Sequence, residues 1–281
     1  MRDLFVIGTA SIDVLHIGDS TVNTVGGAGL YTALAARCQS DSVALFAPRP
    51  HPTEMPDALK LVATHLDWRG PQVELAMMPR LEIRHHGGGK ATLVGASWGA
   101  ETFFESDALP TDLSDWRYVH IAALSSAQRQ LEFMRACRER GAKRLSVGTY
   151  ARIVYGETEK VRQLYCEADV GFMNENEANG LFGSVDDAIR HIRPEQVLCI
   201  TLAERGAVIL HNNERFVCTA PAIQEVDPTG AGDTVCGTFL ALLAQGLRLP
   251  DCGQHAVYAA TQMIQFVGPT GLVDYIRTSR G

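Results

Sequence analysis

No apolar run in this chain of 281 residues approaches the roughly eighteen residues that a membrane-spanning helix needs. Met1-Arg-Asp leads straight into a strand-like stretch at 4–7, so neither a membrane span nor a signal peptide is expected. A basic block is also missing, and the net charge is −7, which argues against nucleic acid or an anionic membrane as partner. No C-x-x-C occurs. The seven cysteines (38, 137, 166, 199, 218, 236 and 252) are scattered and odd in number, which argues against a disulfide framework or a zinc site and makes a reducing cytoplasm the expected compartment. Internal repeats, low-complexity tracts and long linkers are absent as well.

What is present describes a soluble globular protein. Hydrophobic residues make up 46% and charged residues 20%, enough to bury a large core in one sizeable α/β domain or two small ones. Buried, β-branched strand patterns at 4–7, 43–46, 118–122, 144–147, 170–173 and 196–202 alternate with helical patterns, and 207–212 with 214–219 reads as a closing hairpin. This rhythm predicts a mostly parallel sheet with helices on both faces. Residues 50–70 read mainly as a helix, 185–192 as another, and two helices, 232–245 and 251–267, end the pattern. Two polar hairpins, at about 13–25 and 76–106, fit nowhere in such a sheet and are expected to pair with each other as a small β lid on a single domain spanning 1–281.

Two phosphate motifs fail. Gly87-Gly-Gly-Lys90-Ala-Thr resembles the end of a P-loop, but the spacing is wrong and a hairpin turn is the better reading. Gly26-Gly-Ala-Gly opens an alanine-rich helix, but it lacks the last glycine of the dinucleotide fingerprint. The stretch Asp227-Pro-Thr-Gly-Ala-Gly-Asp-Thr234 is different. It has turn chemistry, then glycines at 230 and 232, then an apolar helix face, so Asp233 falls in a first helical turn beside bare backbone N–H groups suited to an anion. Taken alone, Asp233 could do no more than favour the helix end, worth ~0.3–1 kcal/mol.

These eight residues resemble the second signature of the PfkB/ribokinase family of carbohydrate and nucleoside kinases, usually written D-T/P-T-G-A-G-D. The resemblance implies a ribokinase-like three-layer αβα sandwich and transfer of the γ-phosphoryl group of ATP to a hydroxyl. Asp233 would be the catalytic base, and Gly230, Ala231 and Gly232 the anion hole. Weaker matches follow in the family's order. Gly26, Gly27 and Ala33 fit its first signature, with Tyr31 where asparagine is common, and Asp13 fits the carboxylate that accepts substrate hydroxyls, although a strand-end Asp is also an ordinary turn residue. Asn174 and Glu177 fit an N-x-x-E motif that orders magnesium through water, and the same spacing makes a helix capping box. Thr201, Ala203 and Gly206 fit a nucleotide-lining segment in which Ala203 replaces a glycine. Asp227, with carbonyls from 268–271, would hold a monovalent cation such as K+. Lid-to-lid homodimers are common in the family.

The acceptor is less defined. The strands at 119–124 and 145–150 lack the acidic and amide contacts of many sugar kinases, which leaves a sugar derivative, a cyclitol or a nucleoside open, with Tyr31 able to stack on a flat base or cover a ring. His85 and His86 are adjacent and, in a strand, face opposite sides, so one would face the cleft and the other solvent or a partner subunit. Ala203 and the sparse hydroxyl contacts also motivate a second class of reading, a non-catalytic ligand-binding regulator on the kinase fold.

Overall fold

Leu4 and Val6 pack into one hydrophobic cluster and Phe5 and Ile7 into another, so the strand Arg2–Ile7 buries both faces and reads as unbroken apolar sequence. Each fully buried side chain of this size contributes about 1.5–3 kcal/mol. The same two-sided burial repeats across a nine-stranded sheet, which a computed structural model describes for residues 1–87 and 90–280. Its strand order is Glu214–Cys218, Ala207–His211, Val197–Thr201, Val170–Asn174, Leu145–Gly148, Trp116–Ile121, Arg2–Ile7, Val43–Phe46 and Asp67–Arg69. All pairings are parallel except two: Ala207–His211 pairs antiparallel with both Val197–Thr201 and Glu214–Cys218.

Helices Ala28–Arg37, Ala231–Ala244 and Leu249–Met263 cover one face, while Ala127–Glu139, Thr158–Glu167 and Glu175–Phe182 cover the other. This is the three-layer αβα arrangement. Among the described residues, no helix is long and apolar enough to cross a membrane.

The two polar hairpins share a separate four-stranded sheet. Ser11–Ile17 pairs antiparallel with Ser20–Gly26 and parallel with Arg80–Gly87, which in turn pairs antiparallel with Lys90–Ser97. The turn read from Gly87 to Lys90 includes residues 88 and 89, which lie outside the described residues.

Three local expectations need correction. The helix placed within 50–70 covers only Asp57–Ala63, beginning after Pro56, and Asp67–Arg69 is the last strand of the sheet. The helix at 185–192 is a single turn, Val185–Ala188. The helix placed at 251–267 runs Leu249–Met263, and a further one, Thr270–Arg280, follows.

Candidate active site

Asp227 starts the construction. Its Oδ1 accepts the N–H of Thr229 at 2.9 Å, a side-chain turn that bends the chain two residues on. Gly230 then adopts φ 78°, the left-handed region, and a Cβ there would also lie 2.4 Å from the Tyr31 ring. Only glycine satisfies both conditions. Helix Ala231–Ala244 begins at once, closed by Thr234 N–H to Gly230 O at 2.8 Å. Its far side is pinned at Gly237, where a Cβ would sit 2.0 Å from the Thr32 carbonyl oxygen, so two helix backbones touch.

Among the described residues, the N–H groups of Gly230, Gly232 and Asp233 have no acceptor, and the helix dipole adds to their positive potential. The N–H of Ala231 differs from the sequence expectation, because it donates to Pro228 O at 3.1 Å within the turn.

Asp233 lines a cleft of about 180 Å³ at the C-terminal edge of the sheet, together with Gly232, Asn174, Glu177 and Thr201. The capping box is present: the Asn174 side chain accepts from Glu177 N–H at 2.9 Å, and Glu177 accepts from Asn174 N–H at 3.0 Å and from its Nδ2 at 2.7 Å. Burial pushes the Asp233 carboxyl up to about 7. Glu177 is pushed up to about 8, by burial first and then by the Asp233 charge. Among the described residues no lysine or arginine lines the cleft, so two carboxyl groups face one space without a cationic side chain. Oxygen donors of this kind suit a hard divalent ion. Both Glu177 oxygens already accept from Asn174, which favours contact through water.

On the other side of Gly230 lies Tyr31, 1% exposed. Its ring abuts Gly230 on one side and approaches Gly26 on another, and a Cβ on Gly26 would fall 2.1 Å from Asp13 Oδ2. Asp13, Gly26, Gly27, Tyr31 and Gly230 are therefore contiguous, with Gly27 capping helix Ala28–Arg37 and lying against Thr9. The packing corrects the stacking expectation, since the ring lies against Gly230 and is closed to a flat base. Its hydroxyl has no partner among the described residues and is held protonated by burial and by the charges of Asp227, Asp13 and Asp233.

Both Asp13 oxygens and Ser11 Oγ are likewise buried and unmet. Burial pushes the Asp13 carboxyl up to about 6. Ser11 and the Leu81 backbone draw it part of the way back without reaching hydrogen-bond geometry, and the Asp227 charge raises it further.

Thr201 ends its strand at the cleft, but Ala203 and Gly206 lie in the turn beyond and do not line it. Ala203 takes φ 53°, so the chain keeps a conformation that favours glycine and carries the strain of a methyl group, about 1 kcal/mol.

His120, in the strand Trp116–Ile121, carries no expectation from the sequence pattern. This imidazole lines the cleft with Nδ1 3.0 Å from Ser146 Oγ and Nε2 3.4 Å from Cys236 Sγ, and burial pushes its pKa down to about 3. It is therefore a neutral, fixed wall. Cys236, one helical turn after Asp233, has its thiol held protonated by burial. A histidine inside an otherwise apolar buried strand was the signal that could have found it. Among the described residues no disulfide forms. Of the adjacent histidines, His85 is the inward one, at 5% side-chain exposure, and His86 is exposed and meets Thr92 at 2.9 Å.

Comparison with known proteins bears on the fold and the family. A cytidine kinase of Thermococcus kodakarensis is 27% identical over 276 residues, covering 94% of this chain and 97% of the relative. A 2-dehydro-3-deoxygluconokinase of Escherichia coli is 23% identical over 304 aligned positions, covering 95% and 96%. The structure of a ribokinase from Cryptococcus neoformans in complex with ADP superposes with a TM-score of 0.81 at 15% identity, over 99% of each chain, so the fold is ribokinase-like. Residues 82–274 match the family described as pfkB family carbohydrate kinase. By that match the chain belongs to the pfkB family of carbohydrate kinases and is a phosphotransferase with an alcohol group as acceptor.

Proposed function

We propose that the chain transfers the γ-phosphoryl group of ATP to one hydroxyl of a small polyhydroxylated molecule, a sugar, sugar derivative or cyclitol, in a single in-line displacement. One observation carries the reading. A carboxylate poised near neutrality and a set of free N–H groups share the first turn of one helix and face one cleft.

Asp233 takes the proton of the attacking hydroxyl as its oxygen approaches the γ-phosphorus. The N–H groups of Gly230, Gly232 and Asp233 meet the charge on the transferring group. Thr201 borders the nucleotide phosphates. Asn174 and Glu177 would hold magnesium through water, and magnesium, when bound, supplies charge neutralisation between the phosphates. The small sheet acts as a lid that excludes competing water.

At the acceptor end, Asp13, Ser11 and the Tyr31 hydroxyl offer unmet hydrogen-bonding atoms rather than a flat apolar face, which favours a hydroxyl-dense ring. A nucleoside is the second reading, supported by the full-length similarity to a cytidine kinase. A homodimer through the small sheet would use its edge strand Lys90–Ser97, where Leu93 and Val94 are exposed.

The test is an ATP-consumption screen over hexoses, pentoses, cyclitols and nucleosides, with Asp233→Asn as blank. Turnover in that variant is expected to fall by ~10²–10⁴-fold with ATP binding kept. Near-wild-type turnover would remove Asp233 as the base. Tight binding of a ligand with no ADP formed would favour a regulator instead.

A further inference from the structure

The Asp227–Thr229 turn holds the proposed phosphate hole in place, and the family resemblance puts a monovalent cation beside it. The oxygens here do not fit one. Asp227 is fully buried, and its Oδ1 and Oδ2 accept the N–H groups of Thr229 at 2.9 Å and Gly268 at 2.7 Å. Three carbonyls of the 264–271 segment are committed too: Ile264 O accepts from Val226 and Asp227 N–H, Val267 O from Thr270 Oγ1, and Pro269 O from Leu272 and Val273 N–H. The space in front of the turn is taken by the small sheet. His85 places Nε2 3.1 Å from Thr229 Oγ1 and 3.5 Å from Asp227 Oδ1. On the neighbouring segment, Thr24 packs so closely on Gly268 that a Cβ there would lie 2.2 Å from Thr24 Oγ1. The His85 ring is 5% exposed with Nδ1 unmet, so its contact with the turn is the one hydrogen-bonding gain of that burial among the described residues.

We propose that His85 is a positioning residue of the phosphate hole, holding the Asp227–Thr229 turn with its imidazole where the family resemblance expects a monovalent cation, so that this chain needs none. One side chain on strand Arg80–Gly87 thus ties the small sheet to the turn before Gly230. Docking of that sheet and ordering of the hole become one event. The proposal rests on the phosphate-binding reading of Gly230–Asp233.

The experiment has a readout that needs no acceptor. The ligand-free chain is melted in KCl and in choline chloride at equal ionic strength, and the affinities for ATP and AMP are measured by calorimetry in both. The wild-type midpoint and ATP affinity are expected not to change with the cation. His85→Ala is expected to lose about tenfold in ATP affinity, the worth of one hydrogen bond to a charged or polar partner, with AMP affinity kept and partial recovery in His85→Gln. Should His85→Ala not fold, Thr229→Val, which removes the hydroxyl that the imidazole meets, carries the same expectation. A midpoint or ATP affinity raised by K+ in the wild type would overturn the proposal, as would unchanged ATP affinity in His85→Ala. If the wild type binds ATP no better than AMP, the phosphate-hole reading fails instead, and the melting comparison still decides whether the turn takes a cation.

Discussion

The two sides of Gly230 differ in how their polar atoms are met. On the cleft side the side chains of Asn174 and Glu177 bond each other and His120 sits between Ser146 and Cys236, while Thr149 Oγ1 and the first-turn N–H groups stay open. On the small-sheet side, Ser11 Oγ, both Asp13 oxygens and the Tyr31 hydroxyl are buried without partners. Buried polar groups in folded proteins are nearly always bonded, so a group of unmet ones requires a reason. On the proposed function, the difference means that the protein positions most side chains of the phosphoryl end itself, whereas the acceptor end would be completed by its ligand. It also explains why the chemistry of transfer is easier to read than the identity of the acceptor.

The sharpest way to break this contrast is at its hinge. Gly230→Ala puts a methyl group into the Tyr31 ring at a left-handed backbone position. It is expected to cost about 2–5 kcal/mol of stability and to abolish phosphoryl transfer, as read by thermal melting and ATP consumption. A variant that melts and turns over like the wild type would show that the two sides are not joined there.

Asp13→Asn probes the acceptor side alone. Removing the charged acceptor should raise the KM of the hydroxyl substrate by about 10–100-fold, the worth of ~1.5–3 kcal/mol, with a much smaller effect on kcat. The ligand-free protein should respond in the opposite sense. The folded pKa of Asp13, about 6, lies above the ordinary 3.8, so the native state binds more protons than the unfolded one between those values. The contribution of Asp13 is therefore fully favourable below about pH 4 and is lost as pH rises through about 6, by about 2–3 kcal/mol. Asp13→Asn should flatten that part of the melting profile. An unchanged slope would mean that the carboxylate is met in solution.

Tyr31→Phe should have the smallest effect. It removes only the unmet hydroxyl, so the unliganded chain should melt at or slightly above the wild-type temperature while the acceptor KM rises about 2–10-fold, as one neutral hydrogen bond is lost. An unchanged KM would reassign Tyr31 to the core and shrink the ligand-completed side to Asp13 and Ser11.

Much of this was legible beforehand because it is written in local chemistry. Two-sided apolar strands announce a parallel sheet with helices on both faces, and Asp227-Pro-Thr-Gly announces a turn into a helix. The Asn174–Glu177 box follows from spacing alone. The strand Asp67–Arg69 was not legible, because three residues with one buried side chain carry no period. His120 was hidden for a related reason: a polar residue in a buried strand declares its partners only when Ser146 and Cys236 arrive from elsewhere in the chain.

By itself, then, the sequence determined the layers, the turn that aims Asp233, and the family, since these depend on residues within a few positions of one another. Only the tertiary structure decided that the Tyr31 ring is spent on Gly230, that Ala231 turns its N–H into the loop, and that His85 reaches Thr229 from 144 residues away. Contacts between distant segments depend on how two sheets dock, and side-chain packing at that junction has no signature in local spacing.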